Sequence, residues 1–166
     1  MNIEFLTSEC REAARHDEVF GLCDDQNNTK AYSDTEHPDQ WIATILNPDH
    51  VAVVFTPLDH CIKAFKEGTK DEESLCDGML TTALCLYLVE LKDRMHAGWQ
   101  QKSTDQLVNT IQLLRANHDL APFRYKKAYQ CNKRFLSFKV IDNEENLRFF
   151  RTYGFRMDKQ GEIPVK

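Results

Sequence analysis

Residues 76–92 read Cys-Asp-Gly-Met-Leu-Thr-Thr-Ala-Leu-Cys-Leu-Tyr-Leu-Val-Glu-Leu-Lys, and this stretch decides the fold. All six residues from Leu84 to Val89 are apolar, which is typical of a strand buried on both faces. Glu90 and Lys92 follow, and residues two apart in a strand share a face, so their side chains should project side by side. Charges in that position are costly unless they bind something. The stretch therefore predicts a central strand that ends in a functional site.

The same stretch also permits a helix from Met79 to Met95, because leucine, alanine, glutamate and lysine are good helix formers. A helix that is apolar all round must be deeply buried, and Gly78 together with Thr81-Thr82 weakens its start. Periodicity alone does not decide a short apolar run, and the strand is the preferred interpretation.

A hairpin in this stretch would return Asp77 to the charged end of the strand. Asp77 faces Glu90 if the chain reverses near Ala83-Leu84. A reversal nearer Thr81-Thr82 instead places it opposite Leu86. In either case an aspartate, a glutamate and a lysine gather at one end of a sheet. Two carboxylates can hold a hard divalent cation, and a lysine can stabilise an attacking hydroxide and the developing charge on a phosphate.

Asp77, a spacer of twelve residues and then Glu90-Leu91-Lys92 resemble the motif of the PD-(D/E)XK phosphodiesterase superfamily, which has the restriction-endonuclease-like fold. Cys76 replaces the proline that usually precedes the aspartate. The resemblance implies that Asp77, Glu90 and the backbone carbonyl of Leu91 hold Mg²⁺ or Mn²⁺, and that Lys92 assists the attacking water. It also implies that Gln106 positions the lysine or the water. Asp59 or Glu73 could supply a further carboxylate.

The resemblance implies an α/β (α+β) fold with a mixed central sheet flanked by helices. A chain of 166 residues suits one domain. The restriction-endonuclease-like core would span about residues 50–135, with residues 1–49 and 136–166 as additions. The implied function is that of a metal-dependent nuclease or phosphodiesterase acting on nucleic acid, and DNA is the expected substrate.

Charge is divided unequally between the two halves of the chain. Residues 1–90 carry 6 Lys and Arg against 18 Asp and Glu, whereas residues 91–166 carry 15 against 8. The second half can present a basic face to nucleic acid, or the two halves can interleave so that their charges cancel. The candidates for phosphate contact, which could also simply coat an exposed strand and loop, are Lys126, Lys127, Lys133 and Arg134.

The cysteines and the apolar runs bear on location and partners. Six cysteines, at positions 10, 23, 61, 76, 85 and 131, show neither a C-x-x-C pair nor the spacing of a zinc site. We expect them to be reduced, buried thiols of a cytoplasmic protein. No apolar stretch approaches membrane length and no basic-then-apolar segment opens the chain, so no membrane partner is expected, while a protein partner is possible.

Capping residues and turns predict the remaining elements. Before the central stretch we expect a strand at residues 2–6, a helix from Ser8 to about Phe20, and a hairpin in which Gln40–Leu46 and Val51–Thr56 flank a turn at Asn47–His50.

After the central stretch, Ser103 is expected to cap a helix over Thr104–Asn117, and Gln106 would complete a capping box as the alternative to its role in a site. In the second helix, Leu147 and Phe150 are expected to point inward, with Phe149 as a further candidate. A strand is expected at Phe123–Cys131, this second helix at Asn143–Tyr153, and a final hairpin or edge strand over Phe155–Val165, around Gln160-Gly161.

Two other functions remain open. The first is a nuclease-like fold kept as a non-catalytic binding or accessory protein. The second is an acyltransferase, because Asn143-x-x-Asn146-x-x-x-Phe150-x-x-x-Gly154-Phe155 is similar to the end of the GNAT acetyltransferase domain. The glycine-rich pyrophosphate loop of that family is missing, since Gln100–Ser103 contains no glycine, and Phe150 replaces the usual tyrosine.

Overall fold

The structure is a computed structural model that describes residues 3–93, 98–134 and 143–166. It is a mixed α/β (α+β) fold in a single compact domain, as the sequence predicts. Its elements follow in the order β1 (Val19–Cys23), β2 (Tyr32–Asp34), β3 (Ala43–Leu46), β4 (Val54–Pro57), β5 (Gly78–Thr81), β6 (Cys85–Lys92), α1 (Trp99–Asn117), β7 (Tyr125–Asn132), α2 (Asn143–Tyr153), β8 (Arg156–Asp158) and β9 (Glu162–Pro164).

The larger sheet has the strand order β4-β5-β6-β7-β8. Its first three strands form an antiparallel meander, whereas β6 to β7 and β7 to β8 are parallel neighbours. Parallel neighbours need a crossover connection, and α1 and α2 supply the two crossovers. Both helices pack on one face of this sheet, where Leu107 and Ile111 of α1 are fully buried.

Strand β6 is the centre of the molecule, and all eight of its residues are buried. Leu86 and Leu88 face α1, while Tyr87 and Val89 face the second sheet. Burial of one such side chain is worth roughly 1.5–3 kcal/mol, so a strand covered on both faces needs an unbroken apolar run. The prediction of a central strand crossed by the helix is confirmed, and the alternative helix from Met79 is wrong over the described residues.

The second sheet has the order β2-β1-β3-β9, with β9 parallel to β3. Phe20, Leu22, Ile45 and Ile163 pack from it against the face of β6 that α1 leaves free. The core therefore has three layers, with the helices, the larger sheet and the second sheet stacked in that order. The segments outside residues 50–135 build this third layer.

Of the two registers expected for the hairpin of β5 and β6, the structure has the one in which the chain reverses near Ala83-Leu84. Gly78 pairs with Val89 and Thr81 pairs with Leu86, which puts Asp77 opposite Glu90. The reversal lies at residues 82–84, where the Thr82 N–H donates to the Cys85 carbonyl at 3.0 Å. The Thr82 hydroxyl also accepts the N–H groups of Leu84 and Cys85, which holds the turn in place.

The predicted helix from Ser8 to Phe20 is wrong, as is the predicted strand at residues 2–6, because the described residues 3–18 have no such regular structure. The N–H groups of Glu12 and Arg15 donate instead to the carbonyls of Phe55 and Val53. This segment thereby covers the exposed edge of β4, and edge pairing satisfies its backbone in place of helical hydrogen bonds.

The predicted hairpin of Gln40–Leu46 and Val51–Thr56 is wrong, whereas of the two alternatives around Gln160-Gly161 the hairpin is wrong and the edge strand is confirmed. The turn at Asn47–His50 forms, with the His50 N–H donating to the Asn47 carbonyl at 3.1 Å. However, β3 pairs with β1 and β9, whereas β4 pairs with β5. Likewise β8 and β9 flank Gln160-Gly161 but belong to different sheets. The chain turns where its sequence predicts and then crosses from one layer to the other.

Each helix differs from its prediction in one respect: α1 begins at a different residue, and α2 turns different side chains toward the core. Helix α1 begins at Trp99, with its cap at Gly98, so Ser103 lies inside the helix and the predicted capping box does not form. Helix α2 keeps its predicted bounds. Leu147 and Phe150 are each 40% exposed, so their expected inward facing is wrong, whereas Phe149, the further candidate, packs inward together with Tyr153. Strand Phe123–Cys131 is confirmed as β7, two residues shorter at its start.

Cys10 and Cys61 form a disulfide, which corrects the expectation that all six cysteines are reduced. The four remaining cysteines, Cys23, Cys76, Cys85 and Cys131, are buried thiols as expected. The disulfide fastens the segment that covers β4 to the residues that follow Asp59-His60. Disulfides persist in oxidising surroundings, so the cytoplasmic location stays a prediction.

Opening this disulfide should destabilise the fold by about 4 kcal/mol, because the link spans 51 residues of sequence and constrains the unfolded chain. The double variant Cys10→Ser with Cys61→Ser would be compared with the wild type by urea unfolding. A thiol titration of the denatured, unreduced protein should count four thiols. Six thiols would show that the link does not form.

Candidate active site

Asp77, Glu90 and Lys92 meet at the end of the central strand. Asp77 directly precedes β5, and its N–H donates to Glu90 Oε1 at 3.0 Å. The Leu91 N–H donates in return to Asp77 Oδ2 at 2.7 Å. Lys92 Nζ lies 3.1 Å from Glu90 Oε2. The side chains of Glu90 and Lys92 project from the face of β6 that α1 covers, side by side as the two-residue repeat of a strand requires.

Burial dominates the electrostatics of these groups, since Glu90 is 0% and Asp77 6% exposed. Burial raises the pKa of Glu90 well above its usual range, the charge of Asp77 raises it further, and Lys92 opposes both. Burial likewise raises the pKa of Asp77 to about 7, although Lys92 and the Leu91 N–H oppose the change. Two acids and one ammonium group thus share a nearly dry space in which a further cation is favoured.

Without added metal, the protein should lose stability as pH rises. Asp77 binds a proton more tightly in the folded than in the unfolded chain. Its contribution is therefore complete below the unfolded pKa of about 3.9 and is lost as pH rises through about 7. Urea unfolding in EDTA between about pH 4 and about pH 8 measures this slope.

Asp77→Asn is the matched control for that slope, because the amide can still accept the Leu91 N–H but does not titrate. The variant should flatten the pH dependence, leaving the part that Glu90 contributes in the same direction. A wild-type slope that rises over this range, or one that Asp77→Asn leaves unchanged, would contradict the assignment.

A cavity of about 260 Å³ opens directly above Asp77 and Lys92, whereas the fully buried Glu90 is not among the residues that line it. Its walls come from the segment after β1, the segment after β4, the strand ends and the first turns of α1. The lining residues are polar or charged: Asp24, Gln26, Asn28, Thr29, Asp59, His60, Asp77, Lys92, Lys102 and Gln106. Such a composition suits a charged, hydrated ligand better than an apolar one.

Asp24 was not anticipated from the sequence, although it directly follows the buried strand β1. Both Asp24 and Asp59 raise the pKa of Asp77 by their negative charges, which shows that three carboxylates face one space. Burial raises the pKa of Asp59 as well, against the opposing charges of His60 and Lys92. His60 Nε2 lies 3.3 Å from Asp59 Oδ2. Of the two further carboxylates considered, Asp59 lines the cavity, whereas Glu73 accepts a hydrogen bond from Asn109 outside it.

The Leu91 carbonyl, the third ligand that the resemblance implies, accepts a hydrogen bond from Gln26 Nε2 at 3.1 Å. Three oxygens of the implied ligand set, Asp77 Oδ2, Glu90 Oε1 and the Leu91 carbonyl, thus accept a hydrogen bond from the protein, and Glu90 Oε2 lies in an ion pair with Lys92. A cation bound by Glu90 and Leu91 would take the places of the Lys92 ammonium and the Gln26 amide. Oxygen donors of this kind suit Mg²⁺ and Mn²⁺.

Within residues 3–93, 98–134 and 143–166, no three His, Cys, Asp or Glu side chains are gathered closely enough to form a ready metal site. Metal binding at Asp77 and Glu90 would therefore require side chains at the cavity to move, Lys92 first.

Gln106 lines the same cavity from the second turn of α1. Its Nε2 lies 3.4 Å from the Leu75 carbonyl, just before the hairpin. The structure thereby brings Gln106 together with Lys92 and Asp77, although its predicted place in a helix cap is wrong.

The four basic candidates separate into two pairs. Lys133 and Arg134 directly follow the end of β7 that pairs with Lys92. Lys126 and Lys127 lie at the start of that strand, six residues or about 20 Å away. Lys126 Nζ donates to the Phe123 carbonyl, and Lys127 Nζ lies 3.2 Å from Asp158 Oδ2. Only Lys133 and Arg134 are at the same end of the sheet as the candidate site.

Comparison with known proteins finds no match: no family model, no curated protein and no solved structure is significantly similar to this chain. Neither α1 nor α2 combines the length and the apolar character needed to cross a lipid bilayer, and no other helix of the described residues does so.

Proposed function

We propose that this protein is a metal-dependent phosphodiesterase that cleaves nucleic acid, with a core of the PD-(D/E)XK type. The observation that carries the proposal is the meeting of Asp77, Glu90 and Lys92 at the end of the central strand. The two hydrogen bonds between Asp77 and the segment Glu90-Leu91 hold the carboxylates together. A buried set of two acids and one lysine is costly for stability, which points to a function.

The order of elements supports the same proposal. The Asp strand β5, the Glu-x-Lys strand β6, the helix α1 and the parallel strand β7 follow one another within residues 78–132. The resemblance implies this order of strands and helix, although the further helix expected before the strands, from Ser8 to about Phe20, is not formed. Helix α1 places Gln106 and Lys102 over the strand end, so one side of the cavity is fixed by the crossover itself.

In the proposed reaction, Asp77 and Glu90 would hold Mg²⁺ or Mn²⁺ together with the Leu91 carbonyl. The bound ion would supply charge for the phosphate and lower the pKa of an attacking water. Once displaced from Glu90, the Lys92 ammonium would face the cavity, where it can stabilise charge on the phosphate. Gln106 would orient the lysine or the water, and Lys133 and Arg134 would contact the nucleic acid backbone.

A non-catalytic binding or accessory role is the second candidate, and one observation favours it. Lys92 Nζ already lies 3.1 Å from Glu90 Oε2, so the two side chains pair with each other. A chain that had lost catalysis could keep this pair for structure alone. Metal dependence separates the two roles.

The test is a nuclease assay on single-stranded and double-stranded DNA and on RNA, with Mg²⁺, with Mn²⁺ and with EDTA, beside a thermal melt. We expect hydrolysis with metal only, and a stabilisation by Mn²⁺ of about 2.7 kcal/mol at a hundredfold excess over Kd. Asp77→Asn should lose both effects, whereas Asp49→Asn, in the exposed turn after β3, should keep them. A wild type that shows neither effect would establish the non-catalytic role.

A further inference from the structure

Trp41 lies in a second cavity with one face of its indole held rigidly. A Cβ added to Gly21 would fall 2.0–2.3 Å from three atoms of the ring, so the indole lies flat on the backbone of that glycine. The indole N–H donates to Asp34 Oδ2 at 2.8 Å, which fixes the ring in its plane. The ring is only half-buried. Its other face is therefore available as a flat aromatic surface, and the orientation of the ring is already fixed before a ligand binds.

The cavity beside this ring has a volume of about 650 Å³, within the range of about 300–1,000 Å³ usual for sites of small molecules. An apolar floor of Trp41 and Ile42 is ringed by groups that can hydrogen-bond or pair with charge. These are Asp39, Thr44, Lys133, Gln160 and Glu162. A nucleobase has the matching chemistry, because it offers a flat face, N–H donors for the carboxylates, and an attached phosphate for the lysine.

The cavity is adjacent to the candidate site along the chain and in space. Lys133, on its rim, donates its backbone N–H to the Lys92 carbonyl at 2.9 Å. The side chains of Lys92 and Lys133 line different cavities, Lys92 the one above Asp77 and Lys133 the one beside Trp41. A strand of nucleic acid with a phosphate at Lys92 would thus pass the end of the sheet to reach Trp41.

We propose that the Trp41 cavity binds one unpaired base of the nucleic acid, stacked on the indole, with Lys133 against its phosphate. This inference rests on the proposed function, because it takes the ligand to be the same nucleic acid. It adds that the substrate is single-stranded or splayed open next to the scissile phosphate. Stacking on an aromatic side chain serves this purpose for any base.

Fluorescence tests the site without any need for cleavage. The chain has two tryptophans, Trp41 and Trp99, so Trp99→Phe leaves Trp41 as the single reporter. In EDTA, a single-stranded oligonucleotide should quench this emission. An abasic oligonucleotide of equal length and the matching duplex should quench it far less. Equal quenching by the abasic strand would overturn the inference, because backbone charge alone would then explain binding.

Binding of a labelled strand, followed by anisotropy, provides a second measurement on variants of the otherwise wild-type chain. Trp41→Leu should weaken binding about tenfold, as expected for one lost stack, and Trp41→Phe should restore most of it. Phe65 is an exposed aromatic residue that does not line the Trp41 cavity, so Phe65→Leu should bind the labelled strand as the wild type does. Wild-type affinity in Trp41→Leu would overturn the inference.

The outcomes for this site and for the proposed catalysis are distinguishable. If quenching depends on the bases but no metal-dependent hydrolysis is found, the base site is supported and the proposed nuclease activity is refuted. If the protein hydrolyses nucleic acid but a single-stranded oligonucleotide does not quench Trp41 emission, the proposed nuclease activity is supported and the base site is refuted.

Discussion

Lys92→Met is expected to abolish hydrolysis, lowering its rate by about 10³-fold or more, while binding Mn²⁺ more tightly than the wild type. The loss follows because a preorganised charge on the phosphate is worth this much. The gain follows because Lys92 Nζ occupies the position next to Glu90 Oε2 at 3.1 Å, and a cation in the wild type must displace it. Single-turnover cleavage and a Mn²⁺ titration followed by thermal melting measure the two effects.

The opposite directions of these effects make the Lys92 prediction specific. Methionine fills nearly the same space, so the packing against α1 is kept and only the ammonium is lost. Lys63→Met, at a side chain that is 76% exposed, provides the matched control and should leave both measurements unchanged. If Lys92→Met still cleaves, or binds Mn²⁺ less well, Lys92 does not have the proposed role.

Glu90→Ala should remove both hydrolysis and the Mn²⁺ stabilisation, and should also destabilise the metal-free protein by about 3–5 kcal/mol. The destabilisation arises because Glu90 is fully buried, so its loss removes a charged partner of the Lys92 ammonium and the acceptor of the Asp77 N–H. Urea unfolding with and without Mn²⁺ measures both quantities.

Glu90→Gln tests metal binding separately from folding stability, because its amide oxygen can still accept a hydrogen bond from the Asp77 N–H. This variant should fold better than Glu90→Ala and yet lose the Mn²⁺ stabilisation and the cleavage. Glu67→Gln, in an exposed loop, is the control of equal chemistry. A Mn²⁺ shift that survives in Glu90→Gln would mean that other carboxylates of the cavity, Asp24 and Asp59 first, hold the ion.

The sequence predicted the centre of this molecule well, for a physical reason. A run that is apolar at every position has few stable solutions other than a doubly covered strand, and the distance along the chain from Asp77 to Glu90 allows a hairpin of only a few registers. The charged pair Glu90 and Lys92 could therefore be placed, and so could Asp77. Their burial could not, because a charge at a strand end reaches solvent unless other segments cover it.

The second sheet was not predicted because its pairings depend on residues distant in sequence. Strand β9 lies parallel to β3 across more than a hundred residues, with Thr44 beside Glu162. The turns at Asn47–His50 and Gln160-Gly161 carry local signals, but a turn does not specify which sheet receives the next strand. For the same reason Asp24 and Trp41 could not be assigned to a site: each depends on a layer that only tertiary packing creates.

The Cys10–Cys61 disulfide sets the chemical conditions under which the cavity should be studied. It is anchored next to Asp59-His60, which form one wall of the cavity. Nuclease buffers routinely contain dithiothreitol or 2-mercaptoethanol, and either reagent can open such a link by thiol exchange. Cleavage measured in these buffers would report on a protein whose Asp59-His60 wall is no longer tied to Cys10. Oxidised and reduced samples are therefore two chemically different proteins, and they should be prepared, melted and tested side by side.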